Sequence, residues 1–251
     1  MLCQFSVKNY KSIRDEITFD LQAAAISEHA DWVIKDRDGQ VFLPVSAVYG
    51  PNGAGKSNVL EAMQTLVTMV LRPIHVANQN ASADYKFTKH PVRPFAFSEE
   101  WKRKPTEFEI FFRTKLAEYR YVLQVKEDVV VYERMDRVRL KTGKKSVLFL
   151  RDGEDLTLKG AVARLKVSEG LSRSLPLLSY LGITYTSNEV VKDAIDWFEY
   201  GIDFLNFGNP LEGLRAVVSS SGEIKKLVLA CSRKWISILK TSGSRSGKIT
   251  G

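Results

Sequence analysis

Cysteine is scarce. Cys3 and Cys231 are the only two in 251 residues, and their spacing suits neither a metal site nor a disulfide framework, so a reducing, cytoplasmic setting is expected. No apolar run reaches the 18 residues of a spanning helix, and the opening MLCQFSVKNYKSI is too polar for a secretory leader, so no membrane partner is expected. The three histidines, His29, His75 and His90, are scattered and form no cluster. No N-K-x-D base-reading motif is present, which argues against a GTPase, and no repeat of fixed period occurs. Acid is missing from one end. From Lys225 onward there are seven basic residues and no acidic one, so residues 1–224 carry 30 basic against 29 acidic. The net charge of +8 therefore resides in a short segment, and the pooled pI near 9.4 is poor support for a nucleic-acid face. The basic runs Lys102-Arg103-Lys104 and 137–145 are expected to be solvated hairpin ends, with a phosphate-backbone patch as the sharper alternative.

What is present is ordinary for a globular domain: 44% hydrophobic and 26% charged residues. Residues 3–7 and 16–22 alternate apolar and polar, as half-buried strands do, with the turn-prone stretch NYKSIRD between them. Residues 23–44 are expected to form a loop. VSAVY, residues 45–49, is expected to be a short buried strand at the centre of an α/β sheet. From Ser57, apolar residues recur at three- and four-residue steps, which predicts a helix ending by Pro73. PFAF, residues 94–97, is expected to be a short strand. Segments 106–112, 118–125 and 129–135 are rich in aromatic and β-branched residues, and 147–158 adds a hairpin turning at Asp152-Gly153. Two helices are expected beyond residue 166, one of them capped by Asn188.

Between VSAVY and the first helix lies GPNGAGKSN. It matches G-x-x-x-x-G-K-[ST] with Gly50, Gly55, Lys56 and Ser57 at the fixed places. Glycines at 50, 53 and 55 let the backbone wrap a phosphate, and the helix start adds its positive end. Lys56 is expected at the β- and γ-phosphates and Ser57 on Mg²⁺ through its hydroxyl. The whole run Gly50, Pro51, Asn52, Gly53, Ala54, Gly55, Lys56, Ser57 and Asn58 is the expected site for ATP and its Mg²⁺.

FSVKNYKSI followed by GPNGAGKSN resembles the RecF/SMC-like branch of ABC-type ATPases. More closely, it resembles bacterial AAA-family ATP-binding proteins related to the overcoming-lysogenization-defect group. EYRYVLQV followed by YERM is similar to that family's antiparallel sheet. The resemblance covers roughly residues 1–230. It implies an α/β P-loop NTPase, an ABC-like ATPase head with a mixed core sheet, an antiparallel β-subdomain and a helical subdomain. It also implies that Asn9, Lys11 and Ser12 lie beside the adenine and ribose. A head-to-head dimer, an effector protein and, more weakly, nucleic acid are the implied partners, in bacterial defence or DNA maintenance. The expected division is an ATP-binding lobe over 1–165, a helical subdomain over 166–230 and a disordered tail over 231–251.

Hydrolysis needs more than the cradle. An ABC-like head adds an apolar strand ending in Asp-Glu and an LSxG-type signature, and neither is found after residue 160. Asp196 lies on a helical pattern, and SSSG at 219–222 is expected to be the cap of a helix starting at Glu223. The chain is thus expected to stop short of its Walker B half and to hydrolyse ATP at or near background. An alternative is a non-functional remnant: one back-translation of residues 231–251, read out of frame, gives an amphipathic helix followed by an acidic segment.

Overall fold

The structure, a computed structural model, describes residues 1–24, 30–78 and 92–204. The expected cap at 219–222, the helix from Glu223, Cys231 and the basic tail lie outside the described residues, as do His29 and His90. The chain divides into two units, Met1–Ile202 and Asp203–Gly251, and the description below concerns the first.

Alternating apolar residues build a seven-stranded sheet. Its strands are β1 (Leu2–Lys8), β2 (Ile17–Asp20), β5 (Thr106–Arg113), β6 (Ala117–Lys126), β7 (Val129–Arg139), β8 (Lys145–Asp152) and β9 (Asp155–Leu158). They lie in the order β2-β1-β5-β6-β7-β8-β9, and every neighbouring pair is antiparallel. A separate ribbon pairs β3 (Ile34–Lys35) with β4 (Val41–Phe42), inside the segment expected to be all loop. Two-residue alternation sorts the faces. Phe108, Ile110 and Phe112 of β5, and Tyr119, Tyr121 and Leu123 of β6, are fully buried. The opposite face is polar and bridged across strands, with Lys8 to Glu107 at 3.4 Å and Arg120 to Asp136 at 3.5 Å.

The buried face is covered by α1 (Lys56–Asn78), α3 (Leu177–Thr184) and α4 (Glu189–Tyr200); α2 (Glu99–Lys102) is a single turn before β5. Asn188 caps α4, its Oδ1 accepting from the amides of Val190 and Val191 at 3.1 Å each. Trp197 of α4 stacks on Phe112 with centroids 4.2 Å apart, and Phe198 meets Tyr121 edge-on. Helix α3 is fastened by a buried carboxylate. Glu133 of β7 accepts from Leu177 N at 2.6 Å, Leu178 N at 2.9 Å and the Tyr121 hydroxyl at 2.9 Å. A side chain from the sheet thus caps a helix that has no capping side chain of its own.

Three expectations are corrected. Helix α1 does not stop at Pro73 but runs five residues past it to Asn78. Proline has no amide for the carbonyl of Met69 four residues back. The single Ser179 hydroxyl of α3 reaches this break, donating to Val70 O at 2.8 Å with Met69 O at 3.5 Å. PFAF is not a strand; it turns at Ala96 and Phe97 into α2. VSAVY is not a strand either. No described residue pairs with it, and Val45, Val48 and Tyr49 are 78%, 47% and 88% exposed. The mixed composition, with helices on one face of a large sheet, is that of a P-loop NTPase-like α/β fold.

Candidate functional site

The loop from Gly50 to Lys56 leads directly into α1, the longest helix described. Its backbone is set locally. Gly53 and Gly55 have φ of +83° and +86°, in the left-handed region that favours glycine. Gly55 has a second reason to lack a side chain: a Cβ there would lie 2.9 Å from Ser12 Oγ. The Lys56 ammonium folds back over the loop and donates to Gly50 O and Pro51 O, 2.7 Å each. Asn58 N is used within the turn, donating to Gly55 O at 2.9 Å. The remaining first amides of α1 have no intrahelical acceptor, as at any helix start, and they face the loop with the positive end of the helix dipole. A polyanion fits this arrangement: glycine-lined backbone, a flexible cation above it and a helix N-terminus beneath. Ser57 sits exposed on the first turn of α1, which has no acidic residue. The first acid of α1, Glu61, is paired with Lys11.

The structure brings the NYKSI turn to this loop. Ser12 Oγ accepts from Asn58 Nδ2 at 2.6 Å and is the atom crowding Gly55. Lys11 pairs with Glu61 on α1, and the Tyr10 hydroxyl bonds Thr65 of α1 at 3.0 Å. Burial raises the Tyr10 phenol above its ordinary value, opposed by that hydrogen bond, so it stays neutral. Asn9 and Lys11 adopt φ of 56° and 52°, and the amide of Tyr10 bonds Ile13 O at 2.8 Å, which closes the turn.

Asn9 plays a different part. It is fully buried, and its Nδ2 donates to the carbonyls of Trp101, Lys104 and Pro105 while its Oδ1 accepts from Phe95 N. Every polar atom of its side chain is committed to backbone, so it fixes the path of residues 95–105 around the turn. Nothing in the sequence ties that segment to the turn: PFAF reads as a strand, and 102–104 as a solvated basic run. The backbone bonds Lys11 N to Arg93 O and Ala96 N to Lys11 O complete the junction.

The acids farther along the chain do not approach the loop through their contacts. Asp196 pairs with Lys192 and Glu199 with His75, all on α4 or the far end of α1. The basic run at 102–104 is bound locally: Lys102 to Glu99, and Lys104 to Glu100 and over the Trp101 ring at 4.3 Å.

No curated protein matches the chain. A family model described as "AAA domain, putative AbiEii toxin, Type IV TA system" matches residues 45–181, a span that starts five residues before the glycine loop and ends inside α3. That match covers more than half of the 251 residues, and together with the loop-and-helix geometry it places the chain in the AAA-domain family of P-loop ATPases, to which it belongs.

Proposed function

We propose that the chain binds Mg·ATP through residues 50–58, with Ser12 of the neighbouring turn at the edge of the site. The observation that carries this reading is the fit of the cradle: left-handed glycines, Lys56 held over them, and α1 starting beneath. Lys56 exchanges its two loop carbonyls for β- and γ-phosphate oxygens, a charge-assisted contact stronger than the neutral one it leaves. Ser57 would hold Mg²⁺ through its hydroxyl, and the metal would supply charge neutralisation at the phosphates. Lys11 and Asn9 act by shaping the turn, Lys11 through Glu61 and Asn9 through the 95–105 backbone.

Binding is not hydrolysis. Groups that hold substrate and transition state equally do not lower the barrier. Glu61, the first acid of α1, is paired with Lys11 rather than free to place an attacking water. On this reading turnover depends on acids beyond the cradle, and the chain works at or near background. A role in bacterial defence accords with the family description, which names a toxin and a type IV TA system. Titration calorimetry of the wild type and Lys56→Ala with Mg·ATP tests the cradle. A loss of at least tenfold is expected; equal affinities would remove residues 50–58 from the account. Phosphate release from the purified chain, abolished by Lys56→Ala, would overturn the inactive reading.

A further inference from the structure

Away from the cradle, the β8–β9 hairpin and the chain that follows it enclose a cavity of about 760 Å³. That volume lies within the roughly 300–1,000 Å³ of small-molecule sites. Its walls are largely apolar. Leu156 and Leu158 come from β9, and Leu165, Val167 and Leu171 from the chain between β9 and α3. All five are half-buried. The two acids on the lining, Glu154 and Glu169, are exposed, and Glu154 is paired with Arg173.

The outer wall is fastened. The Tyr185 hydroxyl accepts from Lys166 N at 2.8 Å and donates to Lys166 O at 2.6 Å, and the Tyr180 hydroxyl of α3 accepts from Ser168 N at 3.1 Å. Lys159 N donates to Leu148 O at 2.7 Å and Val130 N to Arg173 O at 2.9 Å, which ties both ends of the wall to the sheet. Inside lies Arg151 of β8, only 4% exposed. Its Nη1 donates to Leu175 O at 3.0 Å and its Nη2 to Arg173 O at 3.4 Å. Two of its five N–H donors are thus used, and the other three meet no acceptor among the described residues. Its cross-strand neighbour is Glu133, but that carboxylate is taken up by Leu177 N, Leu178 N and the Tyr121 hydroxyl. Burial lowers the Arg151 guanidinium below its ordinary value, against the pull of Glu133. Arginine stays charged even so.

We propose that this cavity binds a small amphiphilic carboxylate, with its head on the Arg151 guanidinium and its apolar body along the leucine and valine walls. A carboxylate meets the planar fork with two parallel bonds. An apolar guest alone would leave the buried donors unsatisfied, and a bare anion would leave the walls wet. The inference is independent of residues 50–58.

The test is calorimetry on the full chain with decanoate, decanol and butyrate, which separate head from body. Decanoate is expected to bind saturably, and the other two at least about tenfold more weakly, decanol lacking the charged head and butyrate most of the apolar body. Arg151→Lys keeps a charge without the fork. It is expected to weaken decanoate about tenfold and to leave decanol unchanged. Val167→Asp sets a negative charge in the wall without touching Arg151, and is expected to abolish decanoate binding with little change in melting. Should Arg151→Lys fail to fold, Val167→Asp and the comparison of ligands decide alone. Decanoate binding that neither variant changes overturns the proposal, because the ligand then sits elsewhere. Decanol bound as tightly as decanoate overturns it too, since Arg151 then recognises nothing. Failure of wild type to bind decanoate does the same. Tighter binding of acetyl-Leu-Leu, with its free terminal carboxylate, would overturn the small-molecule occupant in favour of a polypeptide end.

Discussion

Glu133 is the most heavily used carboxylate in the core, and removing it is the sharpest test of how the helices are held. It is fully buried and accepts three hydrogen bonds, from Leu177 N, Leu178 N and Tyr121 Oη. Glu133→Ala leaves three buried donors without acceptors, at about 1–3 kcal/mol each. The vacated volume admits water, which recovers part of this, so a net loss of about 3–5 kcal/mol is expected, typical of breaking a buried charged contact. Against a total stability of about 5–15 kcal/mol, that is a large fraction. Glu133→Gln keeps one oxygen for Tyr121 and Leu178 but turns an amide NH₂ toward Leu177 N, costing about 1–3 kcal/mol for one unsatisfied donor pair. At about 2–4 °C per kcal/mol for a chain of this size, thermal melting should rank wild type, Gln, Ala with clear gaps. The pH dependence has a sign. Burial raises the Glu133 carboxyl above its ordinary value of 4.5, opposed by the bonds from Leu178, Leu177 and Tyr121. A raised value means stabilisation that is full below 4.5 and lost as pH climbs through the folded value. The gap between wild type and the non-titrating Glu133→Gln should therefore narrow as pH rises. Equal melting of all three proteins would refute the idea that Glu133 caps α3.

Gly55→Ala places a left-handed alanine against Ser12 Oγ; about 1–3 kcal/mol of backbone strain should lower the melting temperature or, to the extent that the loop relaxes out of the cradle shape, appear as lost ATP affinity, read by calorimetry beside a melt. Arg113 joins β5 to the β3–β4 ribbon through Asp36 and Asp38 and reaches Glu118 at 2.7 Å. Its hydrogen bond depresses the Asp38 carboxyl below 3.8, so that stabilisation is present above 3.8 and drains as pH falls through the folded value. Melting temperature should drop in that acid window for wild type and change less for Arg113→Met. Tyr49→Ser and Val48→Ser should each alter stability by no more than about 0.5 kcal/mol, because both side chains are exposed; a loss near the 1.5–3 kcal/mol of a buried apolar side chain would show that other residues pack against 45–49.

Where local chemistry decides structure, the sequence was legible. The β5–β7 strands announce themselves through alternation, and the face that two-residue spacing gives to Tyr119, Tyr121 and Leu123 is fully buried. Asn188 caps its helix because an Asx side chain reaches two residues ahead whatever lies beyond. Pro73 was misread for the opposite reason. Its effect on α1 is decided by Ser179, 106 residues later, whose hydroxyl meets the carbonyls that proline's ring disturbs. Glu133 was likewise invisible: on β7 it is one polar residue in an alternating strand, and only the arrival of α3 makes it a cap. Asn9 belongs with them. The turn at NYKSI could be seen, but not that its asparagine would hold residues 95–105.

The contrast between VSAVY and the loop that follows it carries the same lesson to the site. A strand is a relation between two segments, and its hydrogen bonds exist only if a neighbour supplies the other half. Val45, Val48 and Tyr49 have the right chemistry for a buried strand, yet no described residue pairs with them and all three are exposed. The cradle does not need that neighbour. Its left-handed glycines, the Asn58 amide on Gly55 O and the Lys56 contacts with Gly50 and Pro51 are all within nine residues of one another. Its one distant support, Ser12, comes from a turn closed by its own backbone. On the proposed reading, phosphate binding rests on these local groups even though no described residue pairs with 45–49, whereas chemistry that depends on side chains from neighbouring strands does not. Nucleotide affinity and nucleotide turnover should separate in this protein, and they should do so at the boundary between Tyr49 and Gly50.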